Sequence, residues 1–108
     1  VKPTCVFVNS SDLHQDHHVS NMECQRTFRD ISLIEFNIER STMYSKPSFF
    51  IKLSKQEILH KIKSLKHYNT YKNKNYFQSE NILAQSKTMG IKIESPYCEA
   101  FNIISLII

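Results

Sequence analysis

The stretch from Phe77 to Ile108 is the most sharply punctuated part of the chain and constrains what the remainder can be built around. It reads FQSENILAQSKTMG, then IKIESP, then YCEAFNIISLII. Ser79 stands where an N-cap residue would start a helix, with Ile82, Leu83 and Met89 facing inward. Gly90 stands at C′, where a left-handed residue would end that helix. Ile91–Glu94 reads as extended. Ser95-Pro96 then joins a capping serine to a proline at N1, which signals a second helix start. In that second helix Tyr97, Ala100, Phe101, Ile104, Ile107 and Ile108 share a face, with Glu99 in the first turn. The expectation for this stretch is helix, short extended piece, helix.

Upstream, Cys5–Val8 (CVFV) is a short apolar run closed by Asn9-Ser10-Ser11-Asp12, the pattern of a buried strand ended by turn residues. Leu13–Glu23 is polar and histidine-rich, a loop or a weak helix. Ile31–Arg40 supports two readings. Ile34, Phe36 and Ile38 alternate with Glu35, Asn37 and Glu39, which weighs slightly toward a half-buried strand. Phe28, Ile31, Ile34 and Ile38 would equally line one helix face. Ser41–Ser48, with Pro47, reads as a loop, and Phe49–Leu53 (FFIKL) as a short apolar piece. Ser54 to about Tyr68 is the best-defined helix. Ser54-Lys55-Gln56-Glu57 is a capping box, and Ile58, Leu59, Ile62 and Leu65 form one apolar stripe. Asn69–Tyr76 is a polar break.

A chain of 108 residues with 41% hydrophobic and 22% charged residues excludes wholesale disorder and has room for one domain with a modest core. A single glycine and three prolines leave most turns to Asn, Ser and Asp. The net charge of +4 leans toward an anionic partner such as nucleic acid. Three cysteines without a CxxC pair suit a reduced compartment, nuclear or otherwise intracellular. The C-terminal run FNIISLII is too short for a bilayer, which needs roughly 20 apolar residues, so no membrane partner is expected. Val1 in place of an initiator Met, and the uncapped apolar end, suggest a piece excised from something longer.

Three groups of residues carry possible chemistry. Asp12, His14, Asp16, His17, His18 and Cys24 are metal-capable, but their spacing matches no zinc module and reads as a solvated loop. Lys61, Lys63, Lys66, Tyr68, Tyr71, Lys72 and Lys74 interleave cations with rings that can stack on bases. That suits a single-stranded or flap-like nucleic acid, against the plainer alternative of a solvated helix face and loop. Glu99, just past an extended segment, is placed to hold a Mg²⁺ ion or simply to complement a helix dipole. Cys98 has no partner for nucleophilic catalysis and reads as a small buried apolar residue.

Met89-Gly90-Ile91, Ser95-Pro96 and Glu99-Ala100, preceded by Ile82-Leu83, resemble the internal region of flap-endonuclease/XPG-type structure-specific nucleases. There a helix leads through an "(M/L)GI-P-Y" turn and a short strand to "AP" and a Glu-Ala-Glu-Ala helix start. Val1-Lys2-Pro3 with Val6-Phe7-Val8-Asn9-Ser10 resembles the "IKPVFVFDG" strand of the same family, and the two pieces occur in the family's order. The family's Asp-Gly stands here as Asn9-Ser10, and its paired acids reduce to Glu99. The likeness covers about a third of the chain.

The resemblance implies an α/β fold, a fragment of a PIN-like/XPG nuclease core that is helix-rich in its C-terminal half. Residues 1–12 would give a core strand, 13–76 a variable basic, arch-like insertion, and 77–108 the helix–strand–helix region. The implied function is a piece of a Mg²⁺-dependent DNA repair or replication nuclease, of 5′-flap or 5′-exonuclease type, inactive in isolation. Glu99 would be its catalytic and metal residue and the lysine–tyrosine tract its DNA contact. The alternative is a small, mainly helical protein-interaction module. It would dock its Phe101–Ile108 face on a partner helix or on the missing remainder of its own domain.

Overall fold

The computed structural model describes residues 2–108; Val1, at the head of the first family-like segment, lies outside them. The chain is α/β, with elements in the order β1 (Cys5–Asn9), α1 (Gln15–Thr27), β2 (Ser32–Phe36), β3 (Phe49–Leu53), α2 (Lys55–Leu65), α3 (Ser79–Ile91) and β4 (Tyr97–Ser105). The strands hydrogen-bond in the order β1-β2-β4-β3. The chain divides into two compact units, one of residues up to Phe49 with Phe101–Ile108 and one of Phe50–Ala100.

In the first unit β1 and β2 are parallel, with Cys5 opposite Ser32 and Asn9 opposite Phe36. Parallel neighbours need a crossover, and α1 supplies it, giving a β–α–β unit. β2 also pairs antiparallel with β4, Ile34 opposite Ile103 and Glu35 opposite Asn102, with a bulge at Leu33/Ile34. The alternation in residues 31–40 thus resolves as strand. Val8, Leu33 and Ile34 are the unit's buried hydrophobics. The polar segment read as loop or weak helix is a full helix of 13 residues. Its buried residue is Asn21, which donates to the Asn9 carbonyl at 2.8 Å and to Glu35 Oε2 at 3.0 Å. Gln25 donates to Asn21 Oδ1 at 2.7 Å, and Asn102 to Glu35 Oε1 at 3.0 Å. A helix anchored by polar bonds in place of an apolar stripe leaves little periodic trace in the sequence.

In the second unit the Ser54 capping box forms as expected. Ser54 Oγ accepts from the Glu57 amide at 3.2 Å, and Glu57 Oε2 accepts from the Ser54 amide at 2.7 Å. Ile58 and Ile62 of α2 pack with Ile82 of α3, flanked by Leu53, Leu65, Leu83 and Tyr97. Ile58 is wholly buried, a burial that contributes about 1.5–3 kcal/mol. Leu59, assigned to the same stripe by spacing, is exposed.

The C-terminal stretch differs from its reading. Gly90 does not end a helix as a C′ residue: α3 runs through it to Ile91. The left-handed position falls instead on Glu94, with φ of 54°. The Ser95 amide reaches back to the Gly90 carbonyl at 2.9 Å, the long-range bond of a Schellman closure. Ser95-Pro96 therefore belongs to that closure and starts no helix. The expected helix from Tyr97 is strand β4. Its helical spacing was real, but the β-branched isoleucines Ile103 and Ile104 equally suit a strand, and the hydrogen bonds to β2 decide the matter. Because a non-glycine residue in the left-handed region is strained, Glu94→Gly is expected to stabilise the protein by about 0.5–1 kcal/mol. Urea denaturation followed by circular dichroism measures this, and a lower midpoint would refute the assignment.

Candidate nucleic-acid interface and a buried carboxylate clasp

Beyond the last turn of α2, residues 66–75 are all exposed. Two short 3₁₀ turns, Asn69–Tyr71 and Asn75–Phe77, carry the chain to α3. Side chains at the start of α3 hold this loop. Gln78 Nε2 donates to the Lys72 and Lys74 carbonyls at 2.9 and 3.2 Å, and Asn81 Nδ2 to the Asn75 carbonyl at 2.7 Å. Phe77 gathers three tyrosine rings around it. Tyr71 stacks on it with centroids 5.4 Å apart, and Tyr68 and Tyr76 approach edge-on at 6.2 and 5.3 Å. Tyr68 and Tyr71 are still 58% and 42% exposed, so each ring has an anchored side and an open one.

Lys63, Lys66, Lys72 and Lys74 are exposed, and among the described residues none is in an ion pair. The second unit holds nine lysines against four acids, a net +5, while the first holds five cations against six acids, a net −1. The basic character of the chain therefore resides in the unit that carries the tyrosines. Of the expected tract, Lys63, Lys66, Tyr68, Tyr71, Lys72 and Lys74 are exposed and Lys61 is not. Lys61 is half-buried and its ammonium donates to Glu99 Oε1.

Glu99 thus lies within β4, away from any helix start, and its carboxylate is engaged by that ammonium. Among the described residues no three or more His, Cys, Asp or Glu side chains gather to hold a metal ion. A single paired carboxylate does not fit the two-ion arrangement that phosphodiester cleavage needs. The adjacent Cys98 is 1% exposed. Burial pushes its thiol up, a backbone hydrogen bond at Ile51 offsets part of this, and the Glu99 charge pushes it further up. An inert buried thiol is the result.

The histidine-rich segment, read as a solvated loop, is more ordered than that. It follows β1, and Asp12, whose side chain is 2% exposed, lies at its centre. Asp12 Oδ1 accepts from the His14 amide at 2.9 Å, and the two carboxylate oxygens lie 2.9 and 3.0 Å from His17 Nδ1. Oδ2 also accepts from the hydroxyls of Ser41 at 2.8 Å and Thr42 at 3.2 Å. Burial pulls the Asp12 carboxyl up, but the bonds from the His14 amide, Ser41 and His17, with attraction to His17, outweigh it and hold it below its ordinary value. Ser10, 3% exposed, ties the same loops, donating to Asn37 Oδ1 at 2.7 Å. The clasp joins the segments that leave the carboxyl ends of the parallel strands β1 and β2.

Sequence reasoning missed Ser41, Thr42 and Phe77. The Asp12–His14 spacing is that of an Asx turn and was available as a signal; nothing local ties residue 12 to residue 41. No known protein-family model matches the chain, and no curated protein matches it. Among the described residues no helix is long and apolar enough to cross a membrane.

Proposed function

We propose that the second unit binds single-stranded nucleic acid, including the single-stranded end of a flap, and that binding is its function without strand cleavage. The observation that carries this reading is the set of exposed tyrosines, anchored on Phe77 and flanked by Lys63, Lys66, Lys72 and Lys74. Stacking on a ring is worth about 1–3 kcal/mol per base and tolerates any sequence. The lysines neutralise phosphates and release counterions. The restrained loop lowers the entropy lost on binding. Nuclease chemistry at Glu99 receives no such support, because its carboxylate is paired with Lys61.

Fluorescence anisotropy with a labelled oligothymidylate is the test. Engagement of four lysines would give a slope of log K against log salt of about −3, from about 0.7 per neutralised phosphate on a single strand. Tyr68→Ala with Tyr71→Ala is expected to weaken binding by at least tenfold, with the salt slope unchanged. No binding at low salt, or equal binding by that double variant, would remove the reading.

A second reading, a protein-interaction module, is favoured by one observation. Phe7, Phe36 and Ile103 are 48, 36 and 37% exposed on three strands of the first unit. Enhanced fluorescence of an apolar-surface dye, reduced by Phe7→Ser, would support it, and no dye binding by the native protein would exclude it.

A further inference from the structure

The histidines around the Asp12 clasp take complementary tautomers. Asp12 cannot donate when ionised, so His17 Nδ1 must carry the proton between them at 2.9 Å. In the neutral ring its Nε2 is then an acceptor. His14 caps α1, and its Nδ1 accepts from the Asp16 amide at 3.1 Å. Its proton must therefore sit on Nε2, which becomes a donor. The two rings stack with centroids 4.4 Å apart and 24° between planes. The stacking sets the two side chains next to each other in the segment that leads from β1 into α1. His17 retains 22% side-chain exposure and His14 is exposed, so both are open to a ligand. The pair also lies at the carboxyl ends of parallel strands, where open α/β sheets place their ligands.

We propose that His17 and His14 form a hydrolytic site for neutral carboxylic esters. His17 Nε2 takes a proton from water as the water oxygen bonds to the ester carbon. The carbonyl oxygen becomes an oxyanion that accepts from His14 Nε2–H. When the tetrahedral species collapses, the bond from carbon to the alcohol oxygen breaks. The proton held on His17 passes to that oxygen, leaving an acid, an alcohol and the original imidazole. Asp12 is a positioning residue that fixes the His17 tautomer, the role of the carboxylate in serine hydrolases. Water is the nucleophile in preference to Ser41, whose hydroxyl lies 3.3 Å from Nδ1, the wrong nitrogen, and donates to Asp12. The carboxylates of Asp12 and Asp16 disfavour anionic esters. The site belongs to the first unit alone and is independent of nucleic-acid binding.

The test is hydrolysis of p-nitrophenyl acetate by the full chain, against equimolar free imidazole. The expected rate exceeds that of imidazole by at least tenfold and is slower in deuterium oxide, because general-base attack by water moves a proton in the transition state. His17→Ala should fall to the imidazole level and regain rate with added imidazole, while His14→Ala should lower kcat by about tenfold with little change in KM. Circular dichroism establishes that each variant is folded. A native rate no greater than that of imidazole, native-level activity in His17→Ala, or an acylated protein by mass spectrometry would overturn the assignment.

Discussion

Gly90→Ala is expected to destabilise the second unit by about 2 kcal/mol, the opposite of the usual sign. A glycine inside a helix costs up to about 1 kcal/mol relative to alanine, so the exchange ordinarily stabilises. Here a Cβ on residue 90 would meet the Ser95 carbonyl oxygen far inside van der Waals contact. It would also lie 3.2 Å from the Ser95 carbonyl carbon and 3.3 Å from that of Pro96. All three are backbone atoms of the closure that follows α3, so no rotamer change relieves them. Overpacking of a tight site costs about 1–3 kcal/mol and occasionally more, which outweighs the gain in propensity. Gly90→Val should lose more still. Urea midpoints of the parent and both variants measure the effect, and a Gly90→Ala protein as stable as the parent would show that the turn can shift aside.

Asp12→Asn should have the second large effect, with a pH signature. The neutral amide offers one acceptor oxygen where the carboxylate offers two, so the bonds from the His14 amide, His17, Ser41 and Thr42 cannot all survive. Each buried donor left unpaired costs about 1–3 kcal/mol. The sign of the pH dependence follows from the lowered Asp12 value. The folded state prefers the ionised carboxylate, so the stabilisation is fully present above the unfolded-state value near 3.9. It disappears as pH falls below that value and through the lower folded one. The difference in unfolding free energy between parent and Asp12→Asn should therefore be largest at neutral pH and shrink toward pH 2. A difference that stays constant over that range would mean the charge is not what holds the clasp.

The legible parts of this fold are those whose signals are local. The Ser54 capping box, the apolar run of β1 and the alternation in β2 each depend on residues within a few positions of one another. Helix α1 was obscured because Asn21, not a leucine, is its buried contact. β4 was misread because Tyr97, Ala100, Phe101 and Ile104 satisfy a helical period while their hydrogen-bond partners lie far upstream in the chain. Gly90 reads as a left-handed C′ residue, whereas its lack of a side chain serves a close approach and the left-handed turn falls on Glu94. Of the candidate sites, the lysine–tyrosine tract was visible because it is nearly contiguous. Its organising ring, Phe77, stands among other aromatics and looked like one of them.

The interleaving of the two units orders events as the chain leaves the ribosome. The second unit is one continuous segment, Phe50–Ala100, and all its contacts exist once residue 100 has been made. The first unit lacks the β4 residues that pair with Leu33, Ile34 and Glu35 until Phe101–Ser105 follow. The β–α–β segment is therefore synthesised first and completed last, after the whole of the second unit's sequence has been made, which requires closing a long chain loop. Until then one flank of β2 is an open strand edge, the interval in which this chain is most exposed to mispairing.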